Sequence, residues 1–196
     1  MIKILSQRSI LICSLGGLCT LAQASPAAFE QVKAQLSKDT AISGDFKQIR
    51  HMKLLSSPAV STGHFTLSQS KGLTWQQVTP FKSTMRVTAH SISQTFPGMP
   101  PTVITQDQQP VVFSFTRVFL STFQGNLNQI QQTFKLKFSG TTSAWSLTLT
   151  PKSSPINKVI RSIVLSGGRY ITQVIVNDTQ ANTMTLLFSK IRSQTS

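Results

Sequence analysis

The chain has 196 residues, of which 39% are hydrophobic, and its 19 lysines and arginines against five acids give a formal charge of +14 at pH 7. A chain of this length can bury a full core as one domain. Both cysteines, Cys13 and Cys19, lie in the N-terminal apolar segment. If this segment is removed, the remaining chain has no cysteine and can form neither a disulfide nor a thiol nucleophile.

Residues 1–24 are predicted to be a secretory signal peptide. Lys3 and Arg8 precede a short apolar run at 10–21, and an A-x-A sequence ends at Ala24, after which we expect cleavage. The alternative is a membrane anchor, but a span needs about 20 apolar residues, which is more than this run provides. The mature protein is then predicted to be a single domain over 25–196, located in the periplasm.

The positive charge limits the choice of partners. Loss of Lys3 and Arg8 would lower the formal charge from +14 to +12. Export disfavours nucleic acid as a partner and leaves anionic membrane surfaces, acidic proteins and anionic lipids. The alternative is that the charge only keeps an apolar protein soluble.

The mature chain begins with a predicted helix over 26–38. Phe29, Val32 and Leu36 are spaced at i, i+3 and i+7, which places them on one face. Pro26 suits the first turn of a helix. This helix therefore has an apolar stripe that must pack against another element.

Alternating apolar and polar residues predict an antiparallel meander after this helix. Gly72 and Pro80 fall between apolar runs, as turn residues do. The predicted strands cover 43–52, 56–67, 73–78, 83–89 and 91–96, with a further short strand at 102–105.

The spacing becomes helical in the middle of the chain. Val112, Phe115, Phe119 and Phe123 lie at i, i+3, i+7 and i+11, after Pro110. A second short helix is predicted from Asn126, with Leu127, Ile130 and Phe134 on one side. Because this helical segment is so apolar, it has to lie against an apolar surface.

Strand alternation returns in the last third of the chain. Gly167-Gly168 and Asn177-Asp178 are predicted hairpin turns. With these strands the total is about ten or eleven, in one mainly β domain with helices at its start and middle. The strands are predicted near 134–138, 145–149, 160–165, 170–176 and 184–188.

The strands are one-sided. Arg86, Lys135 and Lys137 occupy polar-face positions, which predicts a basic outer face opposite an apolar inner face. The inner face either forms an ordinary core filled by its own side chains or leaves a cavity for an apolar guest. Alternation by itself is compatible with both.

Catalytic motifs are lacking. The histidines, His51, His64 and His90, show no metal-ligand spacing, although His51 and His64 could be cross-strand neighbours able to hold an adventitious metal. The five acids show no pairing for acid/base work, and Asp178 and Asp39 stand where acids are commonly structural. We therefore predict a binding protein rather than an enzyme, without cofactor or metal.

Several short motifs occur in a fixed order along the mature chain. They are S-x-x-F-x-Q at 43–48, G-x-F-x-L at 63–67 leading into Leu73-Thr74-Trp75, T-P-F at 79–81 and L-T-P-K at 149–152. In this order and spacing the chain resembles the bacterial outer-membrane lipoprotein carrier family of the LolA type, in a divergent branch.

The resemblance implies an unclosed antiparallel half-barrel with a helical lid over its concave apolar face. It implies a soluble monomeric carrier that takes acyl chains of a lipoprotein or lipid from an inner-membrane donor to an outer-membrane acceptor. The predicted cavity lining is Phe46, Phe65, Leu67, Leu73, Trp75, Met85, Val87, Phe115, Phe119, Phe123, Leu136, Phe138, Leu147, Leu149, Leu186 and Phe188.

One residue departs from the family pattern. Family members have an arginine that latches the lid by hydrogen bonding, and alignment of 63–75 places Gln69 at that position. Glutamine can donate such a bond but brings no charge. The alternative function is a lipid-sensing or scaffold domain of the same fold, which binds a membrane-protein partner without transport.

Overall fold

A single antiparallel sheet dominates the computed structural model, which describes residues 26–88, 90–108, 113, 120–121 and 127–194. The α-helices whose two ends are described are α1 (Pro26–Leu36) and the short α2 (Leu127–Thr133), and a 3₁₀ helix covers Ile156–Lys158. The strands are β1 (Ala41–His51), β2 (Ala59–Ser68), β3 (Gly72–Thr79), β4 (Ser83–Val87), β5 (Ser91–Thr95), β6 (Thr102–Thr105), β7 (Phe134–Gly140), β8 (Trp145–Pro151), β9 (Ile160–Gly167), β10 (Ile171–Asp178) and β11 (Thr183–Ser193).

The sheet is built from two meanders, β1–β6 and β7–β11, which are joined by the pairing of β1 with β11. Its 11 strands run in the order β6-β5-β4-β3-β2-β1-β11-β10-β9-β8-β7, and every neighbouring pair is antiparallel. The edge strands β6 and β7 do not pair with each other, so the sheet is unclosed. The predicted fold class, mainly β with an unclosed antiparallel sheet and an N-terminal helix, is confirmed.

Burial follows the predicted alternation. In β8, for example, Trp145, Leu147 and Leu149 are buried, whereas Ser146 and Thr148 are less so. The bases predicted on the opposite face, Arg86, Lys135 and Lys137, are exposed. One face of the sheet is therefore apolar and covered, and basic residues stand on the other.

Helix α1 packs on the apolar face through the predicted stripe. Val32 and Leu36 are buried in the core, and the Phe29 ring lies 5.2 Å from that of Phe138, between centroids. The side-chain amide of Gln35 donates a hydrogen bond of 2.7 Å to the carbonyl of Gly168, which ties the helix to the β9–β10 turn. The helix ends at Leu36, before the predicted limit of residue 38.

The second predicted helix is shorter than its apolar stripe. It ends at Thr133, and Phe134, which we expected on the helix face, is the first residue of β7 and is almost wholly buried. The backbone N–H of Lys152 donates to the Thr133 carbonyl (3.0 Å), which holds the chain against the end of β8 at this change of conformation.

Candidate functional site

An aromatic cluster lies at the centre of the covered face. Phe46 of β1 stacks on Trp75 of β3 with 3.6 Å between ring centroids. Phe188 of β11 stands edge-on to Trp75 at 6.2 Å and to Phe65 of β2 at 5.1 Å. Strands from both meanders therefore contribute to one apolar surface across the β1–β11 junction.

The predicted lining residues that the structure describes all belong to this surface. Met85, Leu136 and Phe138 are partly buried against the core. Phe115, Phe119 and Phe123 lie outside the described residues. The buried members are Phe46, Phe65, Leu67, Leu73, Trp75, Val87, Leu147, Leu149, Leu186 and Phe188.

Residues outside the predicted lining also cover this face. Phe113 and Leu120 are helical and buried in the same cluster, and Ile130 of α2 joins them. Phe113 and Leu120 are seven residues apart, a sequence spacing that is typical of one helix face and differs from the predicted stripe at 112, 115 and 119. The same i, i+7 spacing could have identified them in the sequence.

Gln69 interacts with the segment that joins α1 to β1. Its backbone N–H donates to the carbonyl of Thr40 (2.9 Å), and its side-chain amide donates to the carbonyl of Ser37 (3.4 Å). A cavity of about 10 Å³ lies beside it, between Leu36 and Tyr170, and has room for about one water molecule. The lid segment, which the family arginine would latch and which Gln69 could reach with one hydrogen bond, lies largely outside the described residues.

A small ionic cluster borders this cavity. Burial raises the pKa of Tyr170, and the neighbouring carboxylate of Asp39 raises it further. Hydrogen bonds from Ser193 and Tyr170 lower the pKa of Asp39 despite partial desolvation, and Arg169 lies 3.8 Å from its carboxylate. Each acidic or phenolic group has a partner here, so the cluster is a structural contact at the base of α1.

His51 and His64, which the sequence allowed to be cross-strand neighbours, are not paired with each other. The β1–β2 register places Asp45 opposite His64, and His51 pairs with Thr183 of β11. Asp45 accepts from Nδ1 of His64 at 2.7 Å and from Lys190 at 2.9 Å, and both hydrogen bonds lower the pKa of its carboxyl. The described part of the chain contains no group of three side chains placed to hold a metal ion.

The family model described as "Outer membrane lipoprotein carrier protein LolA-like" matches residues 22–184. An unclosed antiparallel sheet with one covered apolar face is the fold that such proteins share, and this chain belongs to the LolA-like family. The family consists of carrier and binding proteins of the periplasm rather than enzymes. No curated protein matches the chain.

The solved structures that this chain resembles share little sequence with it. The chain is similar to the LolA superfamily protein of Nitrosomonas europaea (7% identity, 88% of this chain and 95% of that chain, TM-score 0.48). It is also similar to a DUF1329 family protein of Desulfovibrio piger (8% identity, 87% and 93%, TM-score 0.47). A third is a chain of the Pseudomonas aeruginosa MucA/MucB complex (12% identity, 87% and 57%, TM-score 0.47). Only the family match bears on function.

No helix among the described residues is long and apolar enough to cross a membrane.

Proposed function

We propose that the protein is an exported periplasmic carrier that shelters the acyl chains of a lipoprotein or another lipid against its apolar face and moves them towards the outer membrane. The signal peptide is removed after Ala24, and residues 25–196 act as one monomeric domain. An inner-membrane donor loads the carrier and an outer-membrane acceptor unloads it. The observation that carries this proposal is the continuous apolar surface centred on Phe46, Trp75 and Phe188.

The thermodynamics of acyl chains favours this role. Each methylene removed from water contributes roughly 0.8 kcal/mol, so an acyl chain crosses an aqueous compartment only inside a shelter. Transfer between two such shelters breaks no covalent bond. Neither a catalytic residue nor a cofactor is required, in keeping with the family.

Loading requires a conformational change, because the apolar face is already packed by the protein's own side chains. Helix α1 is tied down by the Gln35–Gly168 hydrogen bond and by its buried stripe. We therefore assign the movement to the other covering residues, Phe113, Leu120 and Ile130. Displacing them exposes the face, and an acyl chain then replaces their apolar contacts.

A first experiment identifies the cargo. The protein is purified from the periplasm without detergent and its mass is measured under native conditions. We expect an additional mass that corresponds to an acyl-bearing molecule. Protein that is always empty and does not bind a hydrophobic dye would contradict the carrier role, and capture of a membrane protein without lipid transfer would favour the sensing or scaffold alternative.

A pair of neighbouring substitutions then tests the face. Phe138 points to the apolar side of β7 and Lys137 to the opposite side. Phe138→Glu places a charge on the lining, which disfavours an acyl guest, so we expect uptake of a fluorescent fatty acid to fall about tenfold or more. Lys137→Glu puts the same charge on the outer face and should leave uptake unchanged.

Circular dichroism shows whether both variants remain folded. Equal uptake by two folded variants would mean that the guest does not bind this face.

A further inference from the structure

The large hydrophobic side chains that remain exposed are concentrated at one end of the sheet. This end, the basic rim, consists of the connections 52–58, 80–82, 96–101, 152–159 and 179–182, which antiparallel pairing places on the same side. Every exposed large hydrophobic side chain of the described residues lies in the rim or within two residues of it: Leu54, Leu55, Val60, Val78, Phe81, Met99, Val103 and Val159.

The most exposed of these residues are at the tips of the connections. Leu54 is 95% exposed, Met99 62% and Phe81 58%. A folded protein gains nothing internally from leucine, phenylalanine and methionine side chains in water at such positions, and their concentration at one end marks a contact surface.

Contacts among the connections hold part of the rim together. The backbone N–H of Lys53 donates to the side chain of Asn182 (2.9 Å), which joins the β1–β2 connection to the β10–β11 turn. The rings of Phe81 and Phe96 are 6.2 Å apart, and an open groove of about 720 Å³ beside them is lined by Lys82 and Met99. Adjacent connections thus present their apolar and basic side chains together.

The charges at the rim are almost all positive. The acid next to the rim is Asp178, at the end of β10, whose carboxylate accepts hydrogen bonds from Gln180 and Asn182 within the following turn. The ion pairs of the described residues involve Lys33, His64, Arg169 and Lys190, none of which is in the rim. The exposed bases in or beside the rim are Arg50, Lys53, Lys82, Lys152, Lys158 and Arg161.

Apolar tips interspersed with lysines match the chemistry of an anionic bilayer. Leucine and phenylalanine side chains enter the boundary between headgroups and acyl chains, and the flanking lysines remain among the phosphates. An acidic protein partner would bind the charges, but a protein interface buries its apolar anchors in one packed centre. Here they are distributed over separate loop tips, as a fluid surface allows.

We propose that the basic rim docks on anionic phospholipid bilayers, with Leu54, Leu55, Phe81 and Met99 inserted at the interface. This places the end of the sheet, and not its basic outer face, against the membrane. The inference is independent of the proposed carriage of lipid, because docking needs no cargo.

The test compares two sets of lysine substitutions in flotation with vesicles. The rim variant carries Lys53→Gln, Lys82→Gln and Lys158→Gln, and the matched control carries Lys47→Gln, Lys71→Gln and Lys137→Gln, which are exposed elsewhere on the sheet. Each base near an anionic surface strengthens binding about fivefold, so the rim variant should bind about a hundredfold more weakly to vesicles that contain phosphatidylglycerol. The control should bind within about threefold of the unmodified protein, because its charges are screened from the bilayer by distance.

A second variant tests insertion. Leu54→Ser with Leu55→Ser keeps all charges and should weaken binding about tenfold or more, since it removes the side chains that enter the bilayer. All these positions are exposed, so the variants should fold, and circular dichroism checks this.

Other outcomes would overturn the proposal. These are failure of the unmodified protein to bind phosphatidylglycerol vesicles, equal losses in the rim and control variants, or unchanged binding of the leucine variant. Binding of a soluble polyglutamate peptide by the rim, without binding of vesicles, would assign the surface to an acidic protein instead.

Discussion

At the scale of single residues, Asp178 shows how a side chain fixes a turn. One carboxylate oxygen accepts from the backbone N–H groups of Gln180 and Asn182, both at 2.8 Å, and the other accepts from the Asn182 side chain at 2.7 Å. Ala181 in the same turn adopts a positive φ of 66°. The turn was predicted from Asn177-Asp178, because this residue type satisfies nearby backbone donors.

The ionisation of Asp178 should make stability depend on pH. Desolvation raises the pKa of this carboxyl, but the hydrogen bonds from Asn182 and Gln180 outweigh it and lower the pKa overall. Its contribution is therefore present above the carboxyl's ordinary pKa of about 4 and is lost as pH falls through the lower, folded value. The free energy of unfolding of the unmodified protein should therefore fall between about pH 6 and about pH 2, and that of Asp178→Asn should fall by less. Urea titrations at the two pH values measure the difference.

Asp107→Asn is the control for this experiment, because Asp107 is an exposed acid in a different connection. An unchanged pH dependence in Asp178→Asn would contradict the role of the turn.

At the scale of elements, Gly63 lies where the backbone of β3 leaves no room for a side chain on β2. A side chain there would meet the backbone carbonyl of Gln76, and the register between the two strands shifts between Thr62 and Gly63. Because glycine has no side chain, the pairing of β2 with β3 can shift its register here, beside the aromatic cluster. The sequence contains the glycine in the middle of an alternating strand, which is the usual sign of such an approach.

Gly63→Ala should destabilise the protein by about 2–3 kcal/mol, because the backbone that it would meet cannot move aside as a flexible side chain does. Urea unfolding followed by tryptophan fluorescence measures the change. Thr66→Ala, at an exposed position of the same strand, should cost about 0.5 kcal/mol or less. Equal stabilities of the two variants would show that β2 and β3 can separate freely at this position.

At the scale of the whole molecule, the β1–β11 pairing joins the two meanders. The first and last strands of the domain are neighbours over almost their full lengths, from Ile42–Ser193 to His51–Thr183. Without β11, both β1 and β10 would have an unpaired edge, and Leu186 and Phe188 would be lost from the core.

Truncation after residue 182 should therefore abolish cooperative unfolding. Differential scanning calorimetry is expected to show no transition for this variant, whereas removal of residues 195–196 alone should leave the transition unchanged. A cooperative transition in the chain that ends at 182 would mean that the sheet can fold without β11.

Much of the fold and of the candidate site followed from local pattern. Alternation selects the face of each strand because successive side chains of a strand point to opposite sides, so Phe65, Trp75 and Leu147 could be assigned to the apolar face without knowing any pairing. Helical spacing did the same for Val32 and Leu36. The middle segment was harder, since several apolar stripes overlap there and spacing does not choose between Phe115 and Phe113.

The sequence by itself determined the strands, their inward faces, the turns and the excess of positive charge, because each depends on residues close together in the chain. Only the tertiary structure decided that β1 lies beside β11, that Asp45 meets His64 and Lys190, and that the exposed leucines share one end with lysines. These depend on the register between distant segments. Register is fixed by the packing of whole faces, and the local alternation of each strand is the same whichever neighbour it pairs with.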